Sequence, residues 1–142
     1  MVIRIMGGIG VAVMLLWGTL ACTHAGNEKR NLLARQWVYQ EFKTNYDRAT
    51  GEQLGSPIME FNKDGSYRII MGPVSLALGL QSDEGTWYLK RNSLVLKSNL
   101  RGEHQFDLQK LSADTLMLHS KLDSVDLEVT ITLVPLTTPT AE

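Results

Sequence analysis

From Arg35 onward apolar or aromatic residues alternate with polar ones in short runs, and Gly, Asp, Asn and Ser interrupt each run. A period of two is the signature of half-buried strands and predicts an all-β body. Eight strands are expected, at about residues 35–43, 57–62, 66–72, 84–90, 93–99, 104–111, 115–121 and 126–134. In the last of them Leu127, Val129, Ile131 and Leu133 share one face, and Glu128, Thr130 and Thr132 the other.

The turns fix the register. Between the second and third strands lies Asn62-Lys63-Asp64-Gly65-Ser66. A two-residue Asp64-Gly65 loop sets Phe61 opposite Arg68 and mixes the faces. A three-residue loop, Lys63-Asp64-Gly65 with Gly65 left-handed, pairs Phe61 with Tyr67, Glu60 with Arg68 and Met59 with Ile69, so like faces like. The same test on Arg91-Asn92 favours a two-residue loop that brings Leu89 to Leu94 and Trp87 to Leu96. A loop at Ser112-Ala113-Asp114 brings Leu108 to Leu118. Hairpins in meander order, even in number, let the first strand pair antiparallel with the last. The expected fold is therefore a closed eight-stranded antiparallel up-and-down barrel, with a two-sheet sandwich as the alternative. An outer-membrane barrel is disfavoured, because most runs fall short of the roughly 9 to 11 residues a spanning strand needs.

The amino terminus breaks the pattern. Ile5 to Ala21 carries no charge; Arg4 precedes it, Ile9 to Trp17 forms an apolar centre, and Gly18-Thr19-Leu20-Ala21 is a small-residue approach to Cys22. This order reads as a secretory signal. A small residue directly before a lone cysteine resembles the lipobox of bacterial lipoproteins, in which the thiol is acylated and becomes the new amino terminus; Leu20 stands one place later than a lipobox leucine usually does. The rivals are an uncleaved membrane helix, which glycines 7, 8, 10 and 18 weaken, and an inert thiol after an ordinary signal peptide. The expected organisation is a lipoprotein-type signal peptide over 1–21, a flexible tether over 22–30, a barrel domain over 31–136 and a tail over 137–142. Within it, Glu28 to Ala34 is expected to make a turn or two of helix, capped by Asn27, with Leu32 and Leu33 facing inward.

Composition narrows the function. Fourteen Lys plus Arg against fifteen Asp plus Glu give a net charge of −1, which removes the basic footprint of a nucleic-acid binder. One cysteine excludes an intramolecular disulfide and any cysteine-rich zinc site.

Several segments in order carry a family resemblance: Leu33-Ala34-Arg35-Gln36-Trp37, Glu60 through Tyr67, Gly85-Thr86-Trp87-Tyr88-Leu89, Leu94-Val95-Leu96, and Leu111 through Leu116. Over residues 30 to 134 the chain resembles the small bacterial lipocalin-like domains often carried on lipoproteins of Gram-negative bacteria. Lipocalins usually open with Gly-x-Trp; this chain has Arg35-Gln36-Trp37. The resemblance implies a calyx and puts Trp37 and Trp87 at the starts of barrel strands. An eight-stranded barrel is just wide enough to be filled by its own side chains or to hold one small ligand.

The candidate ligand-binding residues are Trp37, Phe61, Tyr67, Trp87 and Phe106, whose rings also suit a core, together with Leu76 and Leu78 of the apolar stretch from Pro73 to Leu80. That stretch reads either as an extension of the third strand or a short buried strand, or as an apolar flap over the barrel mouth. His24, His104 and His119 have no ligand spacing, though folding could bring the last two together across paired strands. Asp83-Glu84 and Asp123 to Asp126 read as solvated charge at strand edges. No cofactor, metal or catalytic group is expected. The leading reading is a non-enzymatic lipid-anchored barrel in the bacterial cell envelope, on the outer membrane and facing the periplasm, that binds a small hydrophobic molecule. The alternative is a filled barrel whose long polar loop from Thr44 to Ser56, with Tyr46 in it, meets another envelope protein.

Overall fold

Each alternating run becomes a strand within about two residues of its expected ends. The computed structural model describes residues 26–77 and 79–137. The signal segment, Cys22, His24, Leu78 and the last residues of the tail lie outside that range. A helix, α1, covers residues 26–33. The strands are β1 (Gln36–Thr44), β2 (Arg48–Thr50), β3 (Ile58–Phe61), β4 (Ser66–Ile70), β5 (Asp83–Lys90), β6 (Ser93–Ser98), β7 (Gly102–Leu111), β8 (Leu116–Leu122) and β9 (Leu127–Pro135), with a short helix α2 (Pro73–Ala77) between β4 and β5.

Apart from β2, each strand pairs antiparallel with the next in sequence, and β1 closes the ring against β9 through Val38↔Val134 and Phe42↔Ile131. The result is a closed eight-stranded antiparallel barrel. β2 is an extra strand that the alternation did not reveal: three residues of the 44–56 connection fold back on the far half of β1, Phe42 opposite Ala49. Its shortness and lack of apolar periodicity hide it.

The registers read from the turns hold. Phe61 faces Tyr67, Glu60 faces Arg68 and Met59 faces Ile69, with Gly65 at φ 91°, a conformation only glycine adopts freely. Trp87 faces Leu96 and Leu89 faces Leu94. Leu108 faces Leu118, but by a different route: Leu111 pairs with Leu116, so the loop has four residues, and a bulge at Gln109 restores the register.

Two expectations change. Residues 73–77 form α2 rather than an added strand, with Pro73 at its start and Ser75 buried and bonded to the Leu54 carbonyl, while Val74 and Leu76 point outward. Helix α1 begins by residue 26, inside the segment read as tether, so Asn27 lies within it rather than capping it. Its basic residues have partners on the barrel. Lys29 donates to Asn92 Oδ1 at 3.0 Å, and Arg30 donates to the Lys63 carbonyl at 3.3 Å with its guanidinium 4.7 Å from the Trp87 ring.

These contacts define one end of the barrel. The turns after β3, β5 and β7 lie there; α1 crosses them and drives Leu33, fully buried, into the core. The Trp37 indole donates to the Leu33 carbonyl at 3.1 Å and the Trp87 indole to the Asn62 carbonyl at 3.0 Å. Phe61 packs edge-on against Trp87 at 5.5 Å, and the inward leucines of β6, β8 and β9 fill the space around them. This end is sealed. The opposite end is formed by the 44–47 turn, the 71–82 connection, the 99–101 turn and the turn at Asp123–Val125.

Candidate functional site at the barrel mouth

Alternation places the inward side chains of β5 and β6 in layers. Trp87 and Leu96 belong to the filled half; one step toward the open end Gly85 on β5 stands opposite Ser98 on β6, and beyond them comes Asp83 on β5. Gly85 is buried, and a Cβ there would run into the Lys97 carbonyl, so the strand can pass β6 this closely only as glycine. On β4, Tyr67 has its ring in the core and its hydroxyl directed toward the mouth.

Asp83 gathers this layer. Tyr67 donates its hydroxyl hydrogen to Asp83 Oδ2 at 2.9 Å, and Ser98 donates to Oδ1 at 2.6 Å. The Ser98 oxygen accepts the backbone N–H groups of Leu100 and Arg101 at 3.2 and 3.0 Å, which ties the β6–β7 turn to the same carboxylate. Burial, followed by the hydrogen bond and the charge of Asp83, pushes the Tyr67 phenol above its ordinary range. Burial and then the charge of Asp83 do the same to Tyr39 on β1. Both phenols therefore remain protonated donors at neutral pH.

The Tyr39 hydroxyl differs from that of Tyr67 in having no hydrogen bond to any described residue. A cleft of about 350 Å³ opens beside Asp83, lined also by Arg68, Ile69, Ile70, Ser82, Glu84 and Leu100. That is the lower end of the size range of small-molecule sites. Ile69 and Ile70 give the cleft an apolar part, while Phe42 and Val129 pack half-buried against the core. Arg101 stands on the rim and donates to Gln81 Oε1 at 3.1 Å.

The residues expected from the sequence separate into groups. Trp37, Phe61 and Trp87 lie in the buried cluster that fills the closed half; Phe106 is half-buried against it, opposite Leu94. Tyr67 alone spans from that cluster to the mouth. Leu76 is on the outer face of α2. Asp83, Ser98 and Tyr39 were missed, and Asp83 is corrected from a solvated edge charge to an inward acceptor of two hydrogen bonds. A signal was available: Asp83 lies four residues before Trp87, on the same alternating face.

His104 and His119 do not meet. His104 pairs with Leu96, and the β7 residue opposite His119 is Asp107. On the outer face of the barrel His119 contacts Glu128 at 2.7 Å and Asp107 at 3.8 Å. Among the described residues no three His, Cys, Asp or Glu side chains are grouped to hold a metal ion.

No family model and no curated protein sequence matches the chain. Solved structures do. A lipocalin-like protein from Bacteroides uniformis matches with a TM-score of 0.51 at 17% identity, over 70% of this chain and 96% of that one. The fold is lipocalin-like. An uncharacterized protein from Bacteroides eggerthii matches with a TM-score of 0.53 at 11% identity, over 70% of this chain and 98% of that one. At such identities the likeness is one of architecture: the lipocalin-like barrel agrees with the strand pairing above, and the chemistry of the mouth must be argued from its own residues.

Proposed function

We propose that this chain is a non-enzymatic, lipid-anchored protein of the bacterial cell envelope that binds a small hydrophobic ligand at the mouth of its barrel. The observation that carries the reading is the contrast between the two ends. One end is plugged by Leu33 and bridged by α1, whereas at the other the inward polar layer of Asp83, Ser98 and the Tyr67 hydroxyl lies beside a cleft of about 350 Å³. That second end also has a crown of exposed apolar side chains, Tyr46, Val74, Leu76, Leu100, Leu122 and Val125, from 46% exposed at Leu122 to 83% at Leu100. Such a ring around a cleft favours contact with an apolar molecule. Anchoring rests on the lipobox-like approach to Cys22 and is checked by palmitate labelling, which Cys22→Ser should abolish.

An environment-sensitive apolar dye tests binding. The wild-type protein should take it up, and the double variant Leu76→Ser, Leu100→Ser should weaken uptake about tenfold through lost apolar area. Both side chains are exposed, so the melting temperature should not move. Unchanged uptake by the double variant contradicts the reading. The same crown supports a second reading, an interaction module, because Tyr46 is held outward on a turn bonded to the Asp126 carbonyl. Capture of an envelope protein that depends on residues 44–56, by a barrel that binds no dye, selects it.

A further inference from the structure

We infer that the mouth half of β7 is a docking edge, which accepts an extended segment of another protein as a further strand, and that the segment it fits alternates basic and apolar residues. Docking there does not depend on whether the cleft beside Asp83 holds a ligand.

Strand pairing stops short on one flank of the ring. β7 and β8 pair from Leu111↔Leu116 at the sealed end up to Asp107↔His119, and no further. Above that point β7 continues through Gly102 to Phe106 paired with β6 alone, and β8 continues through Ser120 to Leu122 paired with β9 alone. Exposure agrees with an open flank. His104 lies on the inward face of β7 opposite the buried Leu96, yet it is exposed, as are the other residues from Gly102 to Gln105. One hydrogen bond fixes the direction of the backbone: the Leu108 amide donates to the Asn92 carbonyl, on the β6 side, at 2.8 Å. Alternation then turns the N–H and C=O groups of Glu103 and Gln105 the other way, onto the flank, where they meet no strand among the described residues. An edge of this kind is a template for an added strand.

The side chains along the edge select the occupant. Glu103, Gln105 and Asp107 point outward, and none of them is basic. The nearby cations are engaged elsewhere or lie across the flank. Lys97, opposite Glu103 on β6, has its ammonium 5.5 Å from the centre of the Tyr88 ring; His119 sits between Asp107 and Glu128; Lys121 stands on β8, opposite Glu128. An incoming strand therefore meets two carboxylates on its outer face, at alternate positions either side of Gln105, and cross-strand pairing of opposite charges favours basic residues there. Its other face turns inward over Phe106, between the exposed Leu100 and Leu122 of the rim, which favour apolar residues. A second copy of the chain fits poorly. Two β7 edges paired antiparallel about Gln105 would set Glu103 opposite Asp107, like charge against like.

The test uses the whole protein and two short labelled peptides, one alternating Lys with Val and the other Glu with Val. The basic peptide should bind about tenfold more tightly than the acidic one, the scale of two cross-strand charge pairs. Amide exchange at Glu103 and Gln105 should be fast in the free protein and slow in the complex. Gln105→Pro removes a donor that points away from β6, a place where an edge strand tolerates proline, so the barrel should still form while the basic peptide binds at least about tenfold more weakly. Glu103→Lys, on the exposed outer face, should narrow the preference for the basic peptide to about threefold. Equal binding of the two peptides, binding untouched by Gln105→Pro, or no binding of either peptide overturns the inference. So does slow exchange at Gln105 in the protein alone, which would mean that β8 or a second copy already covers the edge. The exchange and peptide comparisons need no variant, so a misfolded Gln105→Pro does not blunt them.

Discussion

Glu60 on the outer face of β3 accepts a hydrogen bond from Gln36 at 2.8 Å and pairs with Arg68 at 3.2 Å. The Gln36 hydrogen bond, aided by Arg68 and Asn62 against an opposing cost of burial, holds its carboxyl below the ordinary value of 4.5. A carboxylate depressed in the folded state stabilises the protein above its unfolded pKa and loses that contribution as pH falls through the folded one. Glu60→Gln should therefore lower the melting temperature at neutral pH, by the equivalent of about 0.2–1 kcal/mol for a partly exposed pair. The gap to wild type should close as the solution is acidified below 4.5. A gap independent of pH sinks the assignment. The phenols behave in the opposite sense. Tyr39 and Tyr67 are raised above 10, so their contribution is intact below that pH and is lost as pH climbs past it. In an alkaline absorbance titration both should ionise together with unfolding, in one cooperative step. Ionisation of either before the barrel opens refutes the burial described here. These residue-level facts were only partly legible in the sequence. The pairing of Glu60 with Arg68 followed from the turn at Gly65. The inward turn of Asp83 did not, because charge beside a connection is solvated in most proteins and only the partners on β4 and β6 reverse that.

At the level of elements, the eight barrel strands were legible, while the short β2 and the helix α2 were not. Strands announce themselves by alternation, and turn residues such as Gly65 and Asn92 fix their register without knowledge of distant contacts. The segment at residues 73–77 has apolar residues that suit either a strand or a helix, and what decides between them is a tertiary contact, Ser75 against the Leu54 carbonyl. Ser75→Ala should speed hydrogen exchange in α2 while shifting the global stability by about 1 kcal/mol or less. Slow exchange preserved in the variant would mean that the helix is held by something else. Helix α1 was legible over Glu28 to Ala34 with Leu33 inward, whereas its start at residue 26 was not, since that turn lies in a polar stretch and is stabilised by the barrel turns it crosses. Leu33→Ala should cost about 2–5 kcal/mol by leaving a cavity at the sealed end. A loss below 1 kcal/mol, measured by denaturant unfolding, would show that α1 is an ornament rather than a plug.

For the whole molecule the arrangement of ends sets how the protein faces its surroundings. Helix α1 lies at the sealed end, and three residues separate Cys22 from its first described residue, a reach of at most about 14 Å. If the proposed acylation holds, the sealed end hangs close to the anchoring membrane and the mouth points away from it, where it would receive a ligand from the aqueous side. Closure of the barrel was legible from the even count of strands in meander order. The filling of its lower half was not, because Trp37, Phe61 and Trp87 suit a pocket wall and a core equally until their packing is seen. The central claim is that the remaining upper half holds a small molecule. Native mass spectrometry of the protein, purified gently from its own envelope and compared with the same sample after denaturation, tests it most directly. The account predicts a discrete added mass that is lost on unfolding. A bare protein mass, with no apolar dye taken up when one is supplied, would contradict it.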